Sequence, residues 1–198
     1  MGQTCPYCTG FLDEEMEMMK KRIVFAGDSI IHGGPWQYWL PGHYITNFGF
    51  PGHTTSDLAA LLPDIVESQP ELLIAMIGTN DFGKYRLAEE VVIENILNNA
   101  QELRRLLPEV PIIWNSLSPR SDEFSQSMIV VNENIKPVIE RLGMQFLDVF
   151  SLLKDPGENV ILREYCEDPE TFGLHLNNAG YEKWFQSLEP AIKALLKV

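Results

Sequence analysis

The sequence predicts a single three-layer α/β/α sandwich built on a parallel sheet, and three observations carry that prediction. Short apolar runs alternate along the chain with longer amphipathic segments, the pattern of strands covered by helices. The clearest run, Leu72-Leu73-Ile74-Ala75-Met76-Ile77, is apolar without alternation, as expected where helices cover both faces of a sheet. The chain has 198 residues, 45% hydrophobic and 22% charged, which suits one globular domain with a full core.

Taken in order, Arg22-Ile23-Val24-Phe25-Ala26 runs straight into Gly27-Asp28-Ser29 and reads as a buried strand stopped by a tight turn. Asp28 and Ser29 are good caps for a following helix. Gly33-Gly34-Pro35 marks a loop, and Trp36-Gln37-Tyr38-Trp39-Leu40 reads as a short helix or a cleft lining. A second strand covers 44–48, and Thr54 or Thr55 caps a helix over 56–62. The third strand is the run at 72–77. Gly78-Thr79-Asn80-Asp81 leads from it into one long helix with Ile93, Ile96, Leu97, Ala100, Leu103 and Leu107 on one face, ended by Pro108. The fourth strand covers 110–114. Ser121-Asp122-Glu123 opens a helix bearing Phe124, Met128, Val131, Ile135, Val138 and Leu142, kinked at Pro137 and closed by Gly143. The fifth strand covers 144–149. After an irregular stretch to His175, Asn177 or Asn178 caps a last helix through Leu195, with Pro190 inside it. No repeat, low-complexity segment or linker interrupts this order. Residues 1–21 form an amino-terminal extension with a short helix over 11–21, and the domain occupies 22–198.

The net charge of −13 argues against nucleic acid or an anionic membrane as partner. No apolar run approaches the ~18 residues of a membrane span. The first twenty residues contain Asp13, Glu14, Glu15 and Glu17 and no apolar core segment, so no secretory leader is read. Three cysteines form no closed disulfide set, and a cytoplasmic location is expected. Cys5-Pro6-Tyr7-Cys8 has redox or half-zinc spacing. It lacks the preceding strand of a thioredoxin unit and the second pair of a zinc site, so it is read as incidental.

Three strand ends deliver a polar group beside glycine: Ser29, Gly49 and Asn80. In a parallel sheet all three share the edge where ligands bind. His175, just before the last helix, can return to that edge. These are the parts of acyl transfer. A serine hydroxyl needs a base to take its proton, and histidine titrates in the right range. The tetrahedral intermediate needs prearranged donors, which the Ser29 and Gly49 amides and the Asn80 side chain can supply. Trp36, Tyr38, Trp39, Phe82 and Tyr85 are placed near the site, where aromatics stack on sugars or pack on acyl chains. His32, His43 and His53 read as loop residues. The G-x-S-x-G elbow of α/β-hydrolases is absent.

With these residues in hand, the chain resembles an SGNH hydrolase of the GDSL esterase/lipase family. The matching blocks are Gly27-Asp28-Ser29, Asn47-Phe48-Gly49-Phe50-Pro51-Gly52-His53-Thr54, Gly78-Thr79-Asn80-Asp81 and Gly173-Leu174-His175, in the family's order over residues 22–197. The resemblance implies a flavodoxin-like sheet of about five parallel strands. It implies Ser29 as nucleophile, His175 as base, the Ser29 and Gly49 amides with Asn80 as oxyanion hole, and no metal or organic cofactor. The expected activity is hydrolysis of an ester of a small acyl group. The alternatives are a degenerate ligand-binding member and an acyltransferase. One position departs from the family. The aspartate usually found three residues before the histidine is Phe172 here. Asp168 and Glu170 are the nearby acids. The expected substitute is a backbone carbonyl within 168–172, making a Ser–His dyad, or else Glu170, with the carbonyl favoured.

Overall fold

The computed structural model describes residues 20–197. The extension helix expected over 11–21, and Cys5 and Cys8, fall largely or wholly outside them. Within that range the chain forms five strands: β1 (Arg22–Gly27), β2 (Tyr44–Gly49), β3 (Leu72–Met76), β4 (Ile112–Asn115) and β5 (Gln145–Leu147). They make one all-parallel sheet in the order β2-β1-β3-β4-β5. Eight α-helices accompany it: α1 (Ser29–His32), α2 (Trp36–Trp39), α3 (Thr55–Glu67), α4 (Thr79–Tyr85), α5 (Glu89–Leu106), α6 (Ser125–Arg141), α7 (Val149–Leu153) and α8 (Asn178–Leu196).

The strand order reverses between β1 and β3, and right-handed crossovers therefore send helices to opposite faces. On one face α3 packs on α5 and α5 on α6. On the other, α8 packs on α7 and, through Trp184, on the indole of Trp36 in α2, 5.1 Å between ring centroids. Trp36 in turn stacks on Phe25 of β1 at 4.4 Å. With a layer on each side, all five residues of β3 are buried, which is why its sequence shows no alternation. β2 is an edge strand and keeps polar, exposed positions.

Several boundaries differ from the sequence reading. α3 runs through Pro63 to Glu67, because Leu62 and Ile65 on either side of the proline are buried and hold the helix to the sheet. The single helix expected after Asn80 is two. Arg86 adopts a left-handed conformation (φ 49°) that ends α4, and α5 begins at Glu89. β5 stops at Leu147, where the Asp148 carboxylate accepts the Ser151 N–H at 3.0 Å and starts α7. Pro190 lies inside an unbroken α8.

Gly27 ends β1 between β2 and β3 and has no room for a side chain. A Cβ there would fall 2.1 Å from the backbone oxygen of Met76. We therefore expect Gly27→Ala to destabilise the fold by about 3 kcal/mol. Gly42→Ala, with nothing within 4 Å, should stay within about 0.5 kcal/mol. Urea unfolding of the two variants checks this.

Candidate active site

Ser29 opens α1 at the carboxyl end of β1, and this one-turn helix is held on every side. The buried Asp28 carboxylate caps it by accepting the Ile30 N–H at 2.9 Å. The Tyr181 hydroxyl donates to the Ile30 carbonyl at 2.8 Å, and the Trp36 indole N–H to the Ile31 carbonyl at 2.8 Å. The Asn47 side-chain amide reaches the Ile31 and His32 carbonyls at 3.4 and 3.3 Å.

His175 comes back to this edge as expected, and its Nε2 lies 3.1 Å from Ser29 Oγ. Its Nδ1 lies 2.8 Å from Asp168 Oδ2. Neither expected substitute holds the ring. Glu170 is exposed and pairs with Arg163, and no backbone carbonyl takes Nδ1. Phe172 points outward, 62% exposed. The acid lies seven residues before the histidine because residues 169–173 loop out. The Asp168 carbonyl accepts the Thr171 and Gly173 N–H groups, both at 3.0 Å, and Gly173 takes the left-handed φ of 55° that closes the turn. The signal was present in the sequence as Asp168-Pro169 and Gly173 flanking a turn, but a fixed three-residue spacing hid it.

Asp168 is fully engaged. Its Oδ1 accepts the Leu174 N–H at 2.9 Å, the His175 N–H at 3.0 Å and the Cys166 thiol at 3.4 Å. Burial opposes its ionisation, but the Leu174 amide, the His175 ring and the His175 amide outweigh it and hold the carboxyl below its usual range. Burial also pushes the Cys166 thiol up to about 11, so it is a neutral donor near neutral pH. An acceptor at Nδ1 places the ring proton there and leaves Nε2 free to accept from the Ser29 hydroxyl. Serine, histidine and aspartate in this order can perform base-assisted nucleophilic attack.

Asn80 lies in the first turn of α4, beside the neighbouring strand end. Its Nδ2 donates to the His53 carbonyl at 2.9 Å and keeps its second hydrogen uncommitted among the described residues. The turn beneath is tied down by Asp81, which accepts the Thr55 N–H at 3.0 Å and the Thr55 hydroxyl at 2.5 Å. The Gly49 N–H, expected among the oxyanion donors, donates to Asn47 Oδ1 at 2.8 Å. The residue's lack of a side chain serves packing, since a Cβ would fall 2.4 Å from the His32 nitrogen. In the same segment Phe50, Pro51, Gly52 and His53 form a turn closed by the His53 N–H on the Phe50 carbonyl at 3.1 Å. Gly52 has φ 78° and open space around its α-carbon, and its N–H makes no bond among the described residues. This turn is the one whose His53 carbonyl holds Asn80.

The cleft beside Ser29 and His175 measures about 390 Å³ and is bordered by Gly33, Glu167, Asn178 and Tyr181. Of the aromatics expected nearby, Trp36 and Phe82 are core residues, whereas Tyr38 and Tyr85 are exposed. Among the described residues no cluster of His, Cys, Asp and Glu is arranged to hold a metal ion, and no helix is long and apolar enough to cross a membrane.

The five-stranded all-parallel sheet thus carries Ser29, His175 and Asp168 in one hydrogen-bonded chain at its carboxyl edge. The chain belongs to the GDSL-like lipase/acylhydrolase family, whose model matches residues 25–183. Among solved structures it is similar to a GDSL-like lipase from Bacteroides thetaiotaomicron, with 21% identity, 95% of this chain and 96% of that one covered, and a TM-score of 0.74. It is also similar to a carbohydrate esterase family 3 protein from Talaromyces cellulolyticus, with 16% identity, 89% and 98% covered, and a TM-score of 0.71. At these identities the likeness carries the fold. No curated protein matches the sequence significantly.

Burial pushes the Asp28 carboxyl up to about 7, against the Ile30 amide and the charge of His175, and Asp81 adds to the rise. The folded chain then keeps a proton that the unfolded chain releases near pH 4, so stability falls as pH rises through this window. Asp28→Asn carries no such proton. We expect the loss of unfolding free energy between pH 5 and 8 to shrink by about 2 kcal/mol in that variant. Urea titrations across the range read this directly, and an unchanged slope would show that Asp28 does not titrate there.

Proposed function

We propose that this chain is a serine esterase acting on an ester of a small acyl group. The observation that carries this reading is the continuous path from Ser29 Oγ through His175 to the Asp168 carboxylate in a member of an acylhydrolase family. Ser29 Oγ attacks the ester carbonyl while its proton passes to His175 Nε2, and the carbonyl π pair moves onto oxygen as the oxyanion. Ser29 N–H and the uncommitted hydrogen of Asn80 receive that charge. The Gly52 N–H replaces Gly49 as third donor, because the Gly49 amide is occupied by Asn47 and the Gly52 amide is free on the turn that holds Asn80. Collapse breaks the bond to the leaving alkoxide, which takes the proton from His175. Water then repeats the sequence on the acyl-serine and returns the acid.

A modest cleft with Glu167 and Asn178 on its border supports a compact, polar ester rather than a long acyl chain. One structural neighbour is named a carbohydrate esterase and another a lipase, so acetylated sugars and short-chain lipid esters head the screen. The substrate is a small molecule, with no cofactor required by the chemistry, and the three cysteines support a cytoplasmic location. The Asp168 carboxylate on His175 Nδ1 favours turnover over a degenerate, ligand-binding member with Phe172 at the usual acid position.

Hydrolysis of p-nitrophenyl acetate and butyrate tests the proposal. Ser29→Ala should fall to the uncatalysed rate, and equal rates for wild type and variant would end the hydrolase reading. Asp168→Asn should lower kcat by about 10²–10⁴-fold. Glu170→Gln, at an exposed ion pair, should change it less than about fivefold. Asn80→Ala should lower kcat by about 10²–10³-fold with little change in KM. Acyl delivery to an added alcohol in preference to water would make the chain a transferase.

A further inference from the structure

We infer that the loop after β4 braces the two halves of the reaction centre, with Arg120 as the positioning residue for the Asn80 amide. This inference rests on the esterase reading above. Residues 116–120 leave β4 at the carboxyl edge of the sheet and pass through the interior, and the chain reaches the surface at Ser121. Ser116 and Ser118 are fully buried and Arg120 is 4% exposed. A guanidinium this deep must recover its lost hydration in directed bonds.

Those bonds run to the residue before Asn80. Arg120 Nη1 donates to the Thr79 carbonyl at 2.9 Å and to the Thr79 hydroxyl at 3.0 Å. Nη2 pairs with Asp122, and the guanidinium lies over the Phe124 ring at 5.2 Å. Thr79 is the first residue of α4, so Nη1, which donates to both its carbonyl and its hydroxyl, fixes the turn from which the Asn80 amide projects. A lysine can offer one point of charge to Thr79, but not the planar guanidinium that holds Thr79 through Nη1 and Asp122 through Nη2 at once.

The adjoining residue grips the other half. The Ser121 N–H donates to the Gly173 carbonyl at 2.9 Å, two residues before His175. The contact is close: a Cβ on Gly173 would fall 2.5 Å from Ser121 Cβ. Two neighbouring residues, the buried Arg120 and the exposed Ser121, therefore hold the oxyanion arm through Thr79 and the base arm through Gly173. Small displacements of positioned groups are costly in rate. Arg120 touches neither substrate nor reacting atoms, so its effect passes through Asn80.

The test compares Arg120→Met and Arg120→Lys with wild type on p-nitrophenyl acetate, each also in the Asn80→Ala background. We expect Arg120→Met to lower kcat about tenfold or more with KM within about twofold, and Arg120→Lys to recover part of the loss. In the Asn80→Ala background the same substitution should cost less than about threefold, because the group being positioned is gone. Equal losses in both backgrounds, or an unchanged kcat, overturn the inference. The ¹H–¹⁵N cross-peaks of the Asn80 side-chain amide, assigned by their loss in Asn80→Ala, read the placement without turnover. They should move in both Arg120 variants, and unmoved peaks overturn the inference. Should Arg120→Met not fold, Arg120→Lys carries both readouts. If wild type cleaves no ester, the esterase reading falls, while the cross-peaks still decide whether Arg120 positions Asn80.

Discussion

The bond between His175 Nδ1 and the Asp168 carboxylate sets the orientation of the whole site. It fixes the ring plane and the tautomer, and both are needed for Nε2 to face Ser29 as an acceptor. The carboxylate can do this only because it is itself immobile. Two backbone amides and a thiol converge on one oxygen and leave the other for the imidazole. The turn that supplies those amides closes on the Asp168 carbonyl, so one residue shapes the loop with its backbone and orients the imidazole with its side chain.

The Ser29 side of the centre follows the same logic with different parts. A helix of four residues has almost no stability of its own. α1 persists because a carboxyl caps its start and Tyr181, Trp36 and Asn47 take up its free carbonyls. Those partners come from α8, α2 and β2, so the position of Ser29 reports the packing of a whole face of the sheet. Burial of Asp28 with one oxygen unpartnered among the described residues keeps its carboxyl protonated until about pH 7.

Much of this was legible in the residues. Ser29, Asn80 and His175 stand at strand and helix ends, and such positions are set by hydrophobic runs and breakers that sequence displays openly. What escaped depends on conformation a few residues wide or on contacts across the fold. The looped-out segment before His175 moved the orienting acid to Asp168, and counting back three residues cannot see a turn closed by a left-handed glycine. Gly49 and Gly52 lie in one short block. Only the reach of the Asn47 side chain, which occupies one amide and leaves the other free, separates a packing glycine from an available donor. Pro63 and Pro190 read as breaks but sit within helices that tertiary burial sustains. Arg120 gave no signal at all, because nothing in a Ser-Pro-Arg-Ser stretch says that its charge is buried against Thr79.

Whether Ser29 is a nucleophile activated by His175 is decided most directly by covalent trapping. A fluorophosphonate reacts with an activated serine and adds a stable phosphonyl mass that peptide mapping assigns to one residue. The wild-type chain should carry the adduct on Ser29 in the peptide containing Gly27-Asp28-Ser29, and His175→Ala should lose it. An unlabelled wild type, an adduct on another serine, or Ser29 labelling that survives His175→Ala would contradict it.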